Sequence, residues 1–500
     1  MLVSIPMCRK TKIRKSLIFV LFLFFFLAGK AQPNLIFYHD REQTNSPLFN
    51  PSFLTAQQKF TFCILPVAGM SVGYNDQAVI KDMLFNFLSG DQTSDDFRDV
   101  FNSLLRRDQF YQRMEFPILT VGHNSKFGSF DFRIKEVEQL LSDFKSNFAE
   151  FLSNSDYKTI PINQKQLFPA TANYYREYSL GYGKEIIKSK LDLGIRVKLY
   201  FGKANLISEV QGEIASDNGI FLLKTSGPAR LSVPLKFEQN SDSVMTSALM
   251  ADNFKVLNYL FNSKNSGVGI DLGFNYQITP QIQLSASITD LGKIRWNNYA
   301  TTLNLKGSFE FPEDYIAVSG IDYITKSPVF TTSNDEINLS GLFKIKQENK
   351  NYSTMMPPNI YVGVNYQLNP KLNIGAVNRY IGAKDLNFNS FSITAGYQIN
   401  KKLSISSGYS ILGNSYANLP FGLLYTKERS QSFIGTDNLL SFFLPSLTEF
   451  SGITFGTCFF LFKHQSKYRD QLEYLPFYKE KKSRAKSKRG LIFNNYKKDS

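Results

Sequence analysis

The sequence has 500 residues, 43% hydrophobic and 15% aromatic, with a formal net charge of +15. Residues 1–31 hold six Lys/Arg and no acid, and residues 464–500 hold 11 Lys/Arg against 4 Asp/Glu, which leaves the stretch between them at about +2. A nucleic-acid-binding fold, which spreads basic charge over a folded face, is excluded, and three cysteines at positions 8, 63 and 458 make neither a disulfide framework nor a zinc site.

Arg9, Lys10, Lys12, Arg14 and Lys15 precede an apolar run, Ser16–Leu27, and then the small residues around Ala31. This is the pattern of a secretory signal over 1–31, with a mature start at Gln32. The apolar run is too short for a membrane-spanning helix. Cys8 lies before it, so no lipid anchor is expected. Residues 32–58 do not alternate and contain Ser46-Pro47-Leu48-Phe49-Asn50-Pro51-Ser52-Phe53. They are expected to be a plug or hatch folded inside or under a barrel formed by the rest of the chain, with a plain linker as the alternative.

From 59 to 463 the chain alternates. In Leu191–Phe201 the residues Leu191, Leu193, Ile195, Val197 and Leu199 oppose Asp192, Gly194, Arg196 and Lys198. Strands are predicted near 59–75, 114–123, 126–135, 170–186, 190–203, 264–278, 281–291, 357–369, 371–381, 386–399, 402–412, 417–427, 430–437 and 449–462. Runs of about 10 residues are what a tilted strand needs to cross a bilayer, whereas a soluble sandwich, the other all-β option, uses strands of about 5–6. The predicted fold is therefore all-β: a transmembrane antiparallel up-and-down barrel of about 14 strands (range about 12–16). Its short turns, at Thr279-Pro280, Asn369-Pro370 and Asn400-Lys401, fall on the periplasmic side. Its long loops, 76–113, 136–169, 204–263 and 292–356, fall outside, and pieces such as Thr302–Phe311 within them also read as strand. Ala78–Leu88 and Ile134–Leu152 have helical spacing, so partly helical outer loops are expected.

Three hairpins repeat one design. Tyr276, Tyr366 and Tyr397 each precede the next strand's first aliphatic (Ile282, Leu372, Leu403) by six positions, which sets an aromatic ring at the same depth, the periplasmic girdle. The alternation assigns Asp192, Arg196, Lys198, Asp271, Asn275, Asn365, Asn373 and Arg379 to the lumen, where mixed charge either sets selectivity or cross-links into salt bridges that keep the barrel closed. On this reading Val197→Arg harms insertion more than Arg196→Val. Closure pairs the first and last strands antiparallel; with Lys59 and Lys463 level at the rim, Cys63 and Cys458 face each other or miss by one residue. They are the candidate seam pair.

No nucleophile elbow, phosphate loop or His-Glu-x-x-His occurs. Asp95-Asp96 reads as solvated loop charge and His123 as a surface residue at a turn. No catalytic, metal or cofactor site is expected, and the chain is not expected to be an enzyme.

Asn50-Pro51-Ser52 resembles the Asn-Pro-Ala motif of Bacteroidota outer-membrane barrels. Asp290-Leu291-Gly292-Lys293-Ile294-Arg295-Trp296 resembles the strand end of one such family of unknown function, and Glu177–Tyr182 and Asp437–Phe443 match two more of its blocks. The resemblance covers about 32–463 and implies a barrel of the long-chain fatty-acid transporter type in the outer membrane. It supplies no activity, and Ser52 stands where Ala is usual. Two functions remain: a channel or transporter for a hydrophobic or small solute plugged by 32–58, or a non-transport scaffold or accessory subunit of a surface-export or envelope assembly. Planar-bilayer conductance with and without 32–58 discriminates them. The basic tail, 464–500, is expected to be disordered in isolation and to meet an anionic periplasmic partner or none. The other expected partner is outer-membrane lipid.

Overall fold

A computed structural model describes residues 35–65, 67–75, 110–142, 168–217, 220–239, 245–250, 259, 261–312, 344–383, 386–413, 415–444, 448 and 450–462. The expected signal at 1–31, the expected helical spacing at Ala78–Leu88, Asp95-Asp96 and the tail at 464–500 lie outside these residues.

The strands are β1 (Phe60–Ile64), β2 (Met70–Asn75), β3 (Phe110–Ser125), β4 (Gly128–Ser142), β5 (Phe168–Ile187), β6 (Leu191–Asp217), β7 (Ile220–Ser232), β8 (Leu235–Gln239), β9 (Met245–Met250), β10 (Ser266–Gln277) and β11 (Ile282–Trp296). They continue with β12 (Ala300–Pro312), β13 (Lys344–Glu348), β14 (Tyr352–Met355), β15 (Asn359–Asn369), β16 (Leu372–Ala383), β17 (Leu386–Gln398), β18 (Leu403–Leu412), β19 (Ser415–Asn418), β20 (Phe421–Thr426), β21 (Ser430–Thr436) and β22 (Phe450–Phe460). Counting the interrupted β1/β2, β14/β15 and β19/β20 as one strand each, fourteen antiparallel strands of the described residues close into a ring. The seam is β22 against β1 and β2, with Thr61 opposite Phe460 and Val72 opposite Ile453. β6 runs on for 27 residues, and its far half pairs with β7, β7 with β12, and β12 with β13, so one wall continues as a sheet beyond the ring. β8 and β9 pair only with each other among the described residues.

Alternation decides which way the sheet faces. Val197, Leu199, Leu180, Val268, Val362 and Ile393 are all 45% exposed or more on the outer face, while Arg196, Asp271, Glu177 and Arg379 at the intervening positions are 0% exposed. An apolar outside and polar inside is the inversion that lipid demands. Tyr366 and Tyr397 face outward, 39% and 46% exposed.

The three hairpin repeats share a turn chemistry. Thr279 Oγ1 accepts from the backbone N–H of Gln281 and Ile282, Asn369 Oδ1 from Lys371 and Leu372, and Asn400 Oδ1 from Lys402 and Leu403. The side chain satisfies donors that a tight turn otherwise leaves to water.

One expectation is corrected. Ile134–Ser142 is strand, not helix: Lys135, Val137, Gln139 and Leu141 alternate inward, paired with both β3 and β5. Phe144, Phe148 and Phe151 lie outside the described residues. The seam sets Cys63 directly opposite Cys458, as expected, and joins them as a disulfide, Cα–Cα 4.6 Å, with the register one residue from the level-rim sum.

Candidate functional site

The lumen is occupied by residues 35–58. They form three short 3-10 helices, Leu35–Phe37, Ser46–Leu48 and Pro51–Ala56, and make no strand pairing with the described residues. Local chemistry explains the last of them. Pro51 takes the first helical position, where no N–H is needed, and Asn50 caps it, its Oδ1 accepting from Ser52 N (3.0 Å) and Ser52 Oγ (2.7 Å). The same Asn50 donates from Nδ2 to the carbonyls of Phe274 (3.0 Å) and Ala286 (3.2 Å), which are paired across β10 and β11. Asn-Pro-Ser thus both shapes the segment and fixes it to the wall.

The wall receives the segment where it has no side chains. A Cβ added to Gly194 would lie 2.2 Å from Pro51 C, on Gly273 2.1 Å from Asn50 Oδ1, on Gly375 2.3 Å from the His39 ring and on Gly435 2.5 Å from the Phe37 ring. Four separate strands therefore carry glycine at their inward contact with the segment.

Further contacts hold it along its length. Asp437 accepts from the backbone N–H of Leu35 and Ile36, Gln431 Oε1 from Thr44 N, Arg133 donates to Thr44 O, Arg196 to Pro47 O (2.6 Å) and Ser287 Oγ to Phe49 O (2.6 Å). Burial pushes the Asp437 carboxyl up to about 7 and His39 down to about 4. At the short-turn rim Arg41 pairs with Asp192 at 2.8 Å. A polar cleft of about 300 Å³ opens there between the segment and the wall, lined among others by Arg41, Thr55, Lys126, Asp192 and Asn275.

The lumen has two unlike sides. Toward β15–β22, Leu35, Ile36, Phe37, Tyr38, Phe49 and Phe53 pack with Tyr361, Val377, Leu412, Leu424, Phe433 and Phe450 in one apolar cluster. Toward β3–β11 runs a chain of buried ions. Arg196 bridges Asp131 (2.8 Å) and Asp271 (3.7 Å), and Lys198 bridges Asp271 (2.8 Å) and Asp290 (2.6 Å). Arg113, reaching over from β3, joins Asp290 (3.2 Å) to Glu115 (2.7 Å), and Lys135 joins Glu115 (3.1 Å) to Glu177 (3.7 Å). Asn359 carries the chain from Asp290 to Arg379, which also donates to Tyr111. Tyr111 of β3 stacks on Phe388 of β17, centroids 5.4 Å apart, so side chains cross the lumen above the segment.

Asp290 reaches this network through a bulge. Its φ is +62°, the register of β10 and β11 shifts beside it, and Thr289 and Asp290 are both buried. Its own N–H donates to Asp271 Oδ1 (2.8 Å). Strict alternation points one of two neighbours outward, and the bulge re-aims a carboxylate that alternation assigns to lipid.

Of the residues proposed from sequence, Arg196, Lys198, Asp271 and Arg379 join the ion network. Asp192 stands apart from it, accepting from Asn275 and pairing with Arg41. Asn365 and Asn373 face inward and touch each other at 3.5 Å. Cys63 and Cys458 are bonded at the seam. Sequence reasoning missed Arg113, Glu115, Asp131, Arg133, Lys135, Glu177 and Asp290. The alternation of Asp131, Arg133 and Lys135 carried the signal for three of them. Arg196 is 0% exposed, and Arg196→Val takes one of two buried counter-charges from Asp131 and from Asp271, so it carries a cost of its own beside that of Val197→Arg.

Among the described residues no group of His, Cys, Asp or Glu is arranged to hold a metal. A family model described as a family of unknown function, DUF5723, matches residues 51–437. No curated protein matches. Among solved structures the chain is similar to the Pseudomonas putida toluene transporter TodX (12% identity, 83% of this chain, 92% of that chain, TM-score 0.38). It is also similar to the Ralstonia pickettii toluene transporter TbuX (12% identity, 83% and 93%, TM-score 0.37) and to the CymD monoaromatic hydrocarbon channel (10% identity, 84% and 93%, TM-score 0.35).

Proposed function

The chain belongs to the DUF5723 family of unknown function, and from that premise we propose that it is an outer-membrane barrel for the passage of a hydrophobic or small solute, held closed by residues 35–58. One observation carries the reading. The segment fills the lumen through side-chain hydrogen bonds and close packing on glycines, with no strand pairing among the described residues, so it can leave without opening the barrel wall. The two-sided lumen suits a solute with an apolar body, which travels along the aromatic side while polar groups meet the ionic side. No step of chemistry is required.

The test is solute entry into proteoliposomes by swelling, for the intact chain and for one lacking 32–58. Entry that appears only on deletion supports a gated channel. A second reading, a scaffold in a surface-export or envelope assembly, is favoured by the Arg113–Asp290 pair and the Tyr111–Phe388 stack, which join wall strands across the lumen, and by the sheet of β6, β7, β12 and β13 beyond the ring. Absence of entry in either form favours the scaffold.

A further inference from the structure

The outer face of the barrel is not uniform. Between β5, β6, β10 and β11 it carries an almost wholly apolar groove of about 590 Å³, lined by Tyr182, Leu193, Ile195, Leu272, Phe274 and Ala286, with Lys184 at one end. That volume lies within the range of ligand pockets, about 300–1,000 Å³.

The register shows how the groove forms. Lys184, Leu193, Phe274 and Ala286 stand in one outward row across the four strands, and Tyr182, Ile195, Leu272 and Ile288 in the next. Between the rows the backbone is Gly183, Gly194, Gly273 and Ser287, and Ala286 leaves the far end low. The floor is one peptide thick: the same glycines carry Pro51 and Asn50 of the lumen segment on their inner side.

The groove ends at the short-turn rim, where the charge is positive. Lys184 comes from the end of β5, Lys188 and Lys190 from the β5–β6 turn and Lys126 from the β3–β4 turn, all exposed, and Lys190 lies over the Tyr276 ring at 6.0 Å. Of the acids at this rim, Glu185 accepts from Ser189 N and Asp192 is paired with Arg41.

We propose that this groove is a binding site for an anionic glycerophospholipid of the leaflet at the short-turn side, with an acyl chain along Leu193, Phe274 and Ala286 and the phosphate headgroup at Lys184. The site rests on the membrane reading above. An acyl chain satisfies an apolar groove open to lipid, and the lysines select the headgroup, since basic side chains at a membrane surface favour anionic lipid.

The test is native mass spectrometry of the detergent-purified full chain titrated with phosphatidylglycerol or phosphatidylcholine of identical acyl chains. Wild type is expected to retain one phosphatidylglycerol preferentially. Ala286→Phe, which fills the groove, abolishes retention, while Ala376→Phe, on the outer face of β16, leaves it intact. Lys184→Gln lowers the headgroup preference about fivefold. Heat-modifiable migration checks that each variant is a folded barrel. Equal retention by Ala286→Phe and Ala376→Phe, or equal retention of the two lipids by wild type, overturns the site. Failure of wild type to enter vesicles sinks the membrane reading instead, so the two failures are distinct.

Discussion

Asn50→Ala should release the lumen segment. Asn50 supplies one helix cap and two bonds to wall carbonyls. Losing the cap costs about 1 kcal/mol, and the two buried bonds about 0.5–1.5 kcal/mol each. The sum is about 2–4 kcal/mol, a roughly 30- to 1,000-fold shift toward the unseated form. Asn50→Asp separates the two contributions. Aspartate caps as well as asparagine but sets a carboxylate against the carbonyls of Phe274 and Ala286, so it should unseat the segment at least as strongly. Amide hydrogen exchange over residues 46–57, in protein held in lipid nanodiscs, reads the shift as lost protection. If Asn50→Asp is protected like wild type, the wall bonds do nothing. If Asn50→Ala is too, the motif does not hold the segment and the reasoning fails.

Four further outcomes rest on the same contacts. Gly194→Val, whose Cβ would fall 2.2 Å from Pro51 C, should leave heat-modifiable migration intact while exposing the segment to protease; a protected segment would show it does not rest on that strand. Asp290→Asn leaves Lys198 and Arg113 without a shared buried anion and should cost about 3–5 kcal/mol in urea unfolding from lipid vesicles, against less than about 1 kcal/mol if the network is idle. Cys458→Ser opens a link between residues 395 apart, and loop-closure entropy sets the loss at about 6 kcal/mol at most, measured as a fall in the temperature of heat modification; no fall means the seam holds without the bond. Asp437, raised to about 7 by burial, takes up a proton on seating, so seating of Leu35 and Ile36 is strongest below about pH 4 and weakens as pH rises to about 7; Asp437→Asn should remove that slope in exchange measurements, and an unchanged slope would assign it to another group.

The barrel was legible in the sequence because its physics is local. A strand with one face in lipid must alternate, so Leu193, Ile195, Val197 and Leu199 announce themselves, and all fourteen wall strands fall where alternation puts them. The lumen was less legible. Arg113 and Asp290 meet across the barrel from strands 177 residues apart in sequence, and no local pattern encodes that distance. Asp290 was hidden further by its bulge. Asp131, Arg133 and Lys135 do alternate within the strand expected at 126–135; it is the strand's continuation to Ser142 that Leu140, Leu141 and Phe144 disguise by imitating a helix. The lumen segment was recognised by what it lacked, alternation, while its seat on Gly194, Gly273, Gly375 and Gly435 became visible only once those strands were neighbours.

The central claim is that residues 35–58 close the barrel. Its most direct test is single-channel recording in planar bilayers of the intact chain and of one lacking 32–58, both verified as folded by heat-modifiable migration. The account predicts a silent or rarely open intact protein and steady ohmic conductance after deletion. Equal conductance in the two forms, or none in either, would contradict it.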